Sequence, residues 1–212
     1  EGRSDADSAR AGGAGMSIAA PEWFKAASIE WSLGRATVQH TSQLSRFVQT
    51  VDLLAWQWYA IVTLPPAFLR DSGKHEALIN SLAGGADTLD LHHMARPQPL
   101  GTMRGTPTLS ATAAQFANSL AITTTAGATL KAGDMIGVSG QLFQVKTDCT
   151  ANGSGAITVP LVNRSRRSIT SGASVLWDKP TAEFYMMDPR ARSVYTPGFG
   201  GSQTIELVEK VS

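Results

Sequence analysis

Few residues of this chain have the types and the spacing that metal binding requires. His92 and His93 are adjacent, and neighbours on a strand point to opposite faces, so the two imidazoles cannot easily bind one ion. Asp148 and Asn152 suggest a calcium loop, but such a loop needs a regular series of oxygen ligands and a closing glutamate, and this segment supplies neither. We therefore expect no metal site and no cofactor.

Candidate nucleophiles also lack the surroundings that they need. Ser139 has glycines nearby, at positions 137 and 140. A nucleophile elbow, however, runs from a strand into a helix, and the residues after Ser139 have a strand pattern. Cys149 is the only cysteine, has no adjacent base, and excludes an intrachain disulfide. Gly198, Gly200 and Gly201 form no phosphate loop, because no strand leads in and no helix follows. We expect no catalytic residue, and thus a protein that is not an enzyme.

The only dense basic cluster consists of Arg164, Arg166 and Arg167. It is either a solvated loop or a contact with an acidic neighbour or nucleic acid, since guanidinium groups suit carboxylates and phosphates. The net charge of +1 provides no long-range attraction to a phosphate polymer, and no aromatic residues alternate with the arginines. We expect no specific nucleic-acid binding. No apolar run approaches the roughly 20 residues of a membrane helix, so no membrane segment is predicted either.

Alternating apolar and polar residues predict the strands that must form the scaffold. Residues 28–33 and 46–53 have the two-residue period of half-buried strands. In the second stretch Phe47, Val51 and Leu53 share one face, and Arg46, Thr50 and Asp52 share the other. The strongest pattern spans residues 56–64 and ends at two prolines, which cannot continue a ladder. Its apolar face, predicted to lie in the core, consists of Trp56, Trp58, Ala60, Val62 and Leu64.

The opposite face of the 56–64 strand is only half polar, because Tyr59 and Ile61 lie between Gln57 and Thr63. In a monomer this would be a poor solvent face, so we expect a helix or a neighbouring subunit to cover it. We therefore suspect that Tyr59 and Ile61 of this face, and Thr50 of the adjoining strand, lie at an interface between subunits.

One helix is predicted at residues 69–82. Asp71 or Ser72 is the expected cap, and the two glycines at 84–85 end the helix. Its apolar stripe consists of Leu78, Ile79 and Leu82.

The order of these elements predicts one domain inserted into another. A shell, residues 16–103, is followed by a proline- and glycine-rich link, a β module at 104–179, and further shell strands within 180–212. Residues 1–15 are small, polar and glycine-rich, and are expected to be a disordered arm or a scar upstream of Met16. The module has short strands and a tight turn at Ser139 and Gly140, which indicates a small closed barrel or sandwich. The predicted fold class is mainly β: a β-sandwich with one helix, interrupted by a small β-barrel-like domain.

The order of the pieces resembles the distal tail protein family of long-tailed bacteriophages and gene transfer agents. The matching segments extend from about residue 29 to 208. They are SIEWSL at 28–33, QTVDL at 49–53 leading into the tryptophan strand, LKAGDMIGVSGQLFQV at 130–145, the NGSG turn at 152–155, and PTAEF at 180–184. The Gly-Asp strand and the Asn-Gly turn also occur in other tail and baseplate proteins.

The resemblance implies a structural role. The family forms a β-sandwich belt in a hexameric ring at the tail tip of the virion, between the tail tube protein and the central hub protein, with the insert projecting outward. Such a chain is made in the bacterial host cytoplasm, and the family has no catalytic residues to carry over. An alternative function is a binding module, in which Trp177 or Phe143 in the insert stacks on a carbohydrate of the host surface.

Overall fold

The computed structural model of the protein describes residues 16–43, 46–188, 190 and 194–211. The prediction for residues 1–15 lies outside the described residues. The first part of the chain contains β1 (Ser17–Ala19), β2 (Ser28–Thr41), β3 (Val48–Leu64), β4 (Ala67–Phe68), α1 (Leu69–Leu82) and β5 (Thr88–His92). The middle contains β6 (Thr108–Leu109), β7 (Ser119–Thr123), β8 (Thr129–Leu130), β9 (Met135–Val138), β10 (Gln141–Gln144), β11 (Cys149–Thr150), β12 (Ala156–Pro160) and β13 (Val175–Leu176). The last part contains β14 (Thr181–Met186), β15 (Tyr195–Thr196), β16 (Phe199–Gly200) and β17 (Gln203–Glu209).

A six-stranded sheet is the scaffold of the fold, in the order β1-β5-β14-β17-β3-β2. Its neighbours pair antiparallel except β1 with β5, which run parallel. Strands from the two ends of the chain meet in the middle of this sheet, where β17 pairs with β3 from Gln203–Leu64 to Val208–Tyr59. The predicted mainly β class is confirmed, and so is the return of the chain to the first sheet after residue 180.

The inner face of the sheet forms the first hydrophobic core. Along β3 the alternate residues from Trp56 to Leu64 are buried, as the alternation predicts. Apolar side chains of β5, β14 and β17 extend this surface, and α1 covers it with Leu78, Ile79 and Leu82. The predicted helix and its apolar stripe are therefore confirmed.

The predicted cap of the helix is wrong. The helix begins directly after β4 with Phe68 at the N-cap, and no side chain of the described residues caps it. Asp71 and Ser72 consequently lie inside the first turn, where Asp71 pairs with Lys74 at 3.1 Å and the Ser72 hydroxyl donates to the Leu69 carbonyl. At the other end Gly84 and Gly85 have φ of 88° and 70°, the left-handed backbone that ends helices.

The middle of the chain folds as small sheets around a second core. These are β12-β7-β6, β10-β9-β13 and β11-β8, linked by single bridges such as Val145 with Leu161. Ser139 and Gly140 join β9 to β10 with φ of 50° and 75°, the tight turn predicted from the sequence. Residues 104–179 are all described, and none of their sheets closes into a barrel, because turns interrupt the ladder after two to five residues per strand.

The two cores are distinct but not isolated from each other. Most buried apolar residues of 16–103 and 180–211 form one cluster, and those of 104–179 form the other. However, Met135 and Leu142 of the middle segment belong to the first cluster, whereas Met103 belongs to the second. The division at 103 and 180 into separately folding domains stays a prediction, and any test of it must allow for these shared side chains.

Candidate interaction surface

The distal halves of β2 and β3 form a two-stranded ribbon, residues 37–41 paired with 48–52, which together with the adjoining Phe47 we call the arm. Cross-strand pairs alternate in character: Val38 faces Val51, whereas Gln39 faces Thr50. Because side chains alternate across a strand, Val38, Val51 and Phe47 share one face of the arm. The other face carries Gln39 and Thr50, with the exposed Val48 at its end. The face with Val38, Val51 and Phe47 also holds the His40–Gln49 pair and is the more apolar of the two.

The apolar face of the arm is exposed. Phe47 is 78% exposed and Val51 42%, and neither belongs to either hydrophobic cluster of the described residues. The alternation at 46–53 thus predicts the strand correctly, but its half-buried character is wrong. The physical reason is that the arm extends past the β17 strand, whose pairing with β3 begins only at Tyr59.

An irregularity in the pairing separates the arm from the sheet. Arg35 pairs with Trp56 and Thr37 pairs with Asp52, so three residues of β3 oppose one of β2. Within this bulge Leu54 has φ of 58°, a left-handed backbone that a leucine adopts only at a cost in free energy. Its N–H donates to the Asp52 carboxylate at 2.9 Å. The sequence signal for this bulge is that apolar positions change from odd to even numbers between Leu53 and Trp56.

The suspected residues Tyr59 and Ile61 lie together on the outer face of the sheet. The Tyr59 ring lies across Gly34, where a Cβ would come within 2.4 Å of it, so this glycine makes room for the ring. Ile61 is partly exposed and pairs with Glu30 on one side and Glu206 on the other. Thr50 is exposed on the polar face of the arm, beyond the bulge. The structure brings Tyr59 and Ile61 together and separates Thr50 from them, and their role at an interface stays a prediction.

A groove of about 540 Å³ lies at the root of the arm. Its walls come from the bulge, the middle segment and the residues after β17, including Leu53, Phe116 and Val211 respectively. Within it the Arg35 guanidinium lies 4.0 Å from the centre of the Trp56 ring, a cation–π contact. Trp56 is buried as predicted, but it packs under this arginine rather than in either hydrophobic cluster.

A second exposed apolar surface was missed by sequence reasoning. The strands β15, β16 and β4 form a small sheet in which Phe199 pairs with Phe68. The two rings lie 5.1 Å apart between centroids, yet Phe68 is 67% and Phe199 48% exposed. Gly200, on the opposite face, lies against Ser72 of α1, where a Cβ would come within 2.5 Å of its side chain. Strands of two residues are too short to show a period, so no alternation in the sequence marks this surface.

One member of the arginine cluster, Arg166, joins the middle segment to the first sheet, whereas Arg167 is exposed. Arg166 donates to both carboxylate oxygens of Glu209 at 2.9 and 2.6 Å, and these side chains are 11% and 1% exposed. Arg164 donates to the Phe116 carbonyl, and Arg167 donates to the Ser139 carbonyl. The solvated-loop interpretation is wrong for Arg166, and the acidic neighbour that it binds lies in the same chain.

The other candidates from the sequence have structural partners. Asp148 pairs with Lys131 at 2.8 Å and accepts from the Ala132 N–H, which together lower the pKa of its carboxyl. The Asn152 side chain accepts from the N–H groups of Ser154 and Ala156 and so holds its own turn. Burial raises the pKa of the Cys149 thiol, which disfavours the nucleophilic thiolate. Among the described residues, no three histidine, cysteine or carboxylate side chains come together as a metal site.

The two aromatic residues considered as stacking platforms differ in their surroundings. Phe143 is fully buried in the second core, so the platform interpretation is wrong for this residue. Trp177 is partly buried, its Nε1 donates to the Gly105 carbonyl at 2.8 Å, and the Arg104 guanidinium lies 4.9 Å from its ring centre.

The adjacent histidines make stability depend on pH. Burial is the main cause that lowers the pKa of both His92 and His93 below 6.5, and the Lys179 and Arg96 cations act in the same direction. A lowered folded-state pKa means that the unfolded chain binds protons more readily. Full stability is therefore present above about pH 6.5 and is lost as the pH falls from there through the folded-state pKa.

We expect the melting temperature to fall between pH 7.5 and pH 5, and the substitution His93→Phe to reduce that fall. His93 stacks on Trp31 with centroids 4.8 Å apart, and its Nδ1 is buried without a hydrogen-bond partner in the described part of the chain. Phenylalanine keeps the stack and cannot be protonated. Thermal melts at both pH values measure the difference, with the exposed His40→Gln as the control. An unchanged fall in His93→Phe would contradict the assignment.

No protein-family model matches the chain, and no curated protein matches it. The described part of the chain contains no helix with the length and apolarity that a bilayer crossing requires.

Proposed function

We propose that this chain is a structural subunit of a phage-like tail tip, which assembles with copies of itself into a ring between a tail tube and a central hub. The observation that carries the proposal is the arm, whose apolar face packs on neither core. The order of the sequence segments, which resembles the distal tail proteins, supports the same role and a ring of six in the virion.

The physical argument starts from the marginal stability of an isolated ribbon. A two-stranded hairpin has little stability of its own in water, and three strands or a packed face are normally needed. Here the ribbon also carries exposed Val38, Val51 and Phe47 on one side. Burying this face against another subunit removes apolar surface from water and orders the arm at the same time.

The outer face of the sheet is the second element that assembly would use. Ile61 lies between two glutamates, so the surface has a small apolar centre with a charged border. Protein interfaces have this arrangement, with an apolar centre and a polar rim. We expect Tyr59 and Ile61 at or near the contact between subunits.

A carbohydrate-binding role of the middle segment is the second candidate. A polar groove of about 250 Å³ lies close to Trp177 and is lined by Arg104, Thr106 and Thr108 of one stretch and residues 123–125 of another. Hydroxyl and guanidinium groups beside an aromatic ring suit a sugar. The Arg104 guanidinium already covers the Trp177 ring, which favours the assembly role over this one.

The test is the mass of the purified full chain by native mass spectrometry, with electron microscopy of the same sample. We expect one closed species of six subunits, and we expect Val51→Ser to dissociate it. Leu176→Ser is the matched control, because Leu176 is similarly exposed but lies on the middle segment. A wild-type chain that stays monomeric at high concentration overturns the proposal. Monomers that bind a glycan array through Trp177 would favour the second candidate.

A further inference from the structure

We infer that the arm of one copy docks on the small sheet of the next copy, with the exposed pair Phe68 and Phe199 as the receiving surface. The inference rests on the proposed function and identifies which two surfaces of the ring subunit meet.

The receiving surface consists of large apolar side chains of the kind that normally fill a hydrophobic core. Phe68 and Phe199 project from neighbouring strands to the side away from α1, since Gly200, the next residue after Phe199 on β16, faces Ser72 of the helix. Leu69, the first helical residue, is also about half exposed beside them. Paired aromatic rings that stay in contact with water are costly in a monomer, and aromatic residues are enriched at protein interfaces.

The arm supplies a complementary surface. Its more apolar face carries two valines and Phe47, with the His40–Gln49 pair between them, and the receiving surface is also a small sheet. Two sheets pack face to face about 10 Å apart with their side chains interdigitated. Aromatic and β-branched residues contact each other favourably in sheets. Here the arm supplies the β-branched valines, and the small sheet supplies the aromatic rings.

The two surfaces cannot meet within one copy. They lie at opposite ends of β3, which extends from Val48 beside the arm tip to Leu64, three residues before β4. At ~3.3 Å per residue, this 17-residue strand separates them by roughly 50 Å. A contact between these two surfaces therefore joins two copies of the chain. Because the two surfaces differ, each copy can contact the next one in the same way. Such a series of copies forms a ring when the rotation between neighbouring copies adds up to a full turn.

The exposed area is in the range that such a contact needs. The three phenylalanines alone would remove roughly 400 Å² of surface from water if fully covered. A standard interface buries about 1,600 Å² in total, so these side chains provide about a quarter of it as an apolar centre. The valines of the arm and Leu69 border that centre.

The experiment uses two full-length variants, Phe47→Ser in the arm and Phe199→Ser in the small sheet, studied alone and mixed. Each keeps one of the two surfaces intact. We expect each variant alone to be monomeric by native mass spectrometry. We expect their mixture to form a one-to-one dimer, because the intact arm of Phe199→Ser can dock on the intact sheet of Phe47→Ser. Both side chains are exposed, so each variant should keep the wild-type circular dichroism spectrum, and Leu100→Ser, which is 82% exposed, should assemble normally.

Two outcomes overturn the inference without touching the proposed function. If the wild type forms rings and Phe199→Ser forms them equally well, the small sheet is not the receiving surface. If Phe199→Ser alone forms dimers through two arms, the contact joins identical surfaces. A wild-type chain that never assembles is distinguishable from both, because it removes the proposed function itself.

Discussion

Replacing Trp58 by alanine is expected to lower the free energy of unfolding by about 3–5 kcal/mol, the usual cost of removing a large aromatic ring from a core. Trp58 is 4% exposed and packs in the first hydrophobic cluster, with its ring edge-on to Trp31 at 6.1 Å between centroids. Its Nε1 also donates to the Leu142 carbonyl at 3.3 Å. The substitution therefore leaves a cavity and removes a hydrogen bond between β3 and the middle segment.

Urea unfolding followed by circular dichroism measures this loss. The neighbouring Tyr59→Ala is the matched control, since Tyr59 lies on the outer face of the same strand and belongs to neither cluster. We expect Tyr59→Ala to leave the fold nearly as stable as the wild type and to weaken assembly. Equal losses of stability in the two variants would contradict the assignment of faces along β3.

The elements that could be predicted from the sequence are those with strong local signals. The alternation at residues 56–64 has large apolar side chains at each even position, and only one face of a sheet can bury them. The helix was bounded correctly because prolines precede it and two glycines in left-handed backbone follow it. In both cases the local pattern and the tertiary environment agree.

The two exposed apolar surfaces, on the arm and on the small sheet, could not be predicted in the same way. A two-residue period shows that 46–53 forms a strand, but whether its apolar face is covered depends on which other strands extend that far. The small sheet that presents Phe68 and Phe199 has strands of two residues and joins segments more than 100 positions apart. The Arg166–Glu209 pair likewise links positions 43 apart. Sequence spacing carries no signal for such contacts.

Replacing Arg166 by alanine is expected to destabilise the fold as much as Trp58→Ala, by about 3–5 kcal/mol, because it leaves the Glu209 carboxylate buried without a cation. Glu209 is 1% exposed and receives two hydrogen bonds from Arg166. The backbone N–H of Trp58 also donates to this carboxylate at 3.2 Å. Loss of the arginine therefore disturbs a carboxylate that is bonded directly to a residue of the first core. The exposed pair Lys131–Asp148 offers a control, and Lys131→Met should change stability little.

The double variant Arg166→Met/Glu209→Gln separates the charge from the packing. Methionine and glutamine are both uncharged, so no buried charge remains. Methionine fills much of the space of the arginine, and glutamine keeps an acceptor for the backbone N–H of Trp58. Replacing both members of a buried pair is often nearly neutral, whereas removing one is costly. We therefore expect the double variant to be more stable than Arg166→Ala in urea unfolding. If the double variant is instead less stable than Arg166→Ala, the attraction between Arg166 and Glu209 exceeds the free-energy cost of removing both from water. The ion pair, rather than the apolar side chains that the two cores share, then holds the cores together.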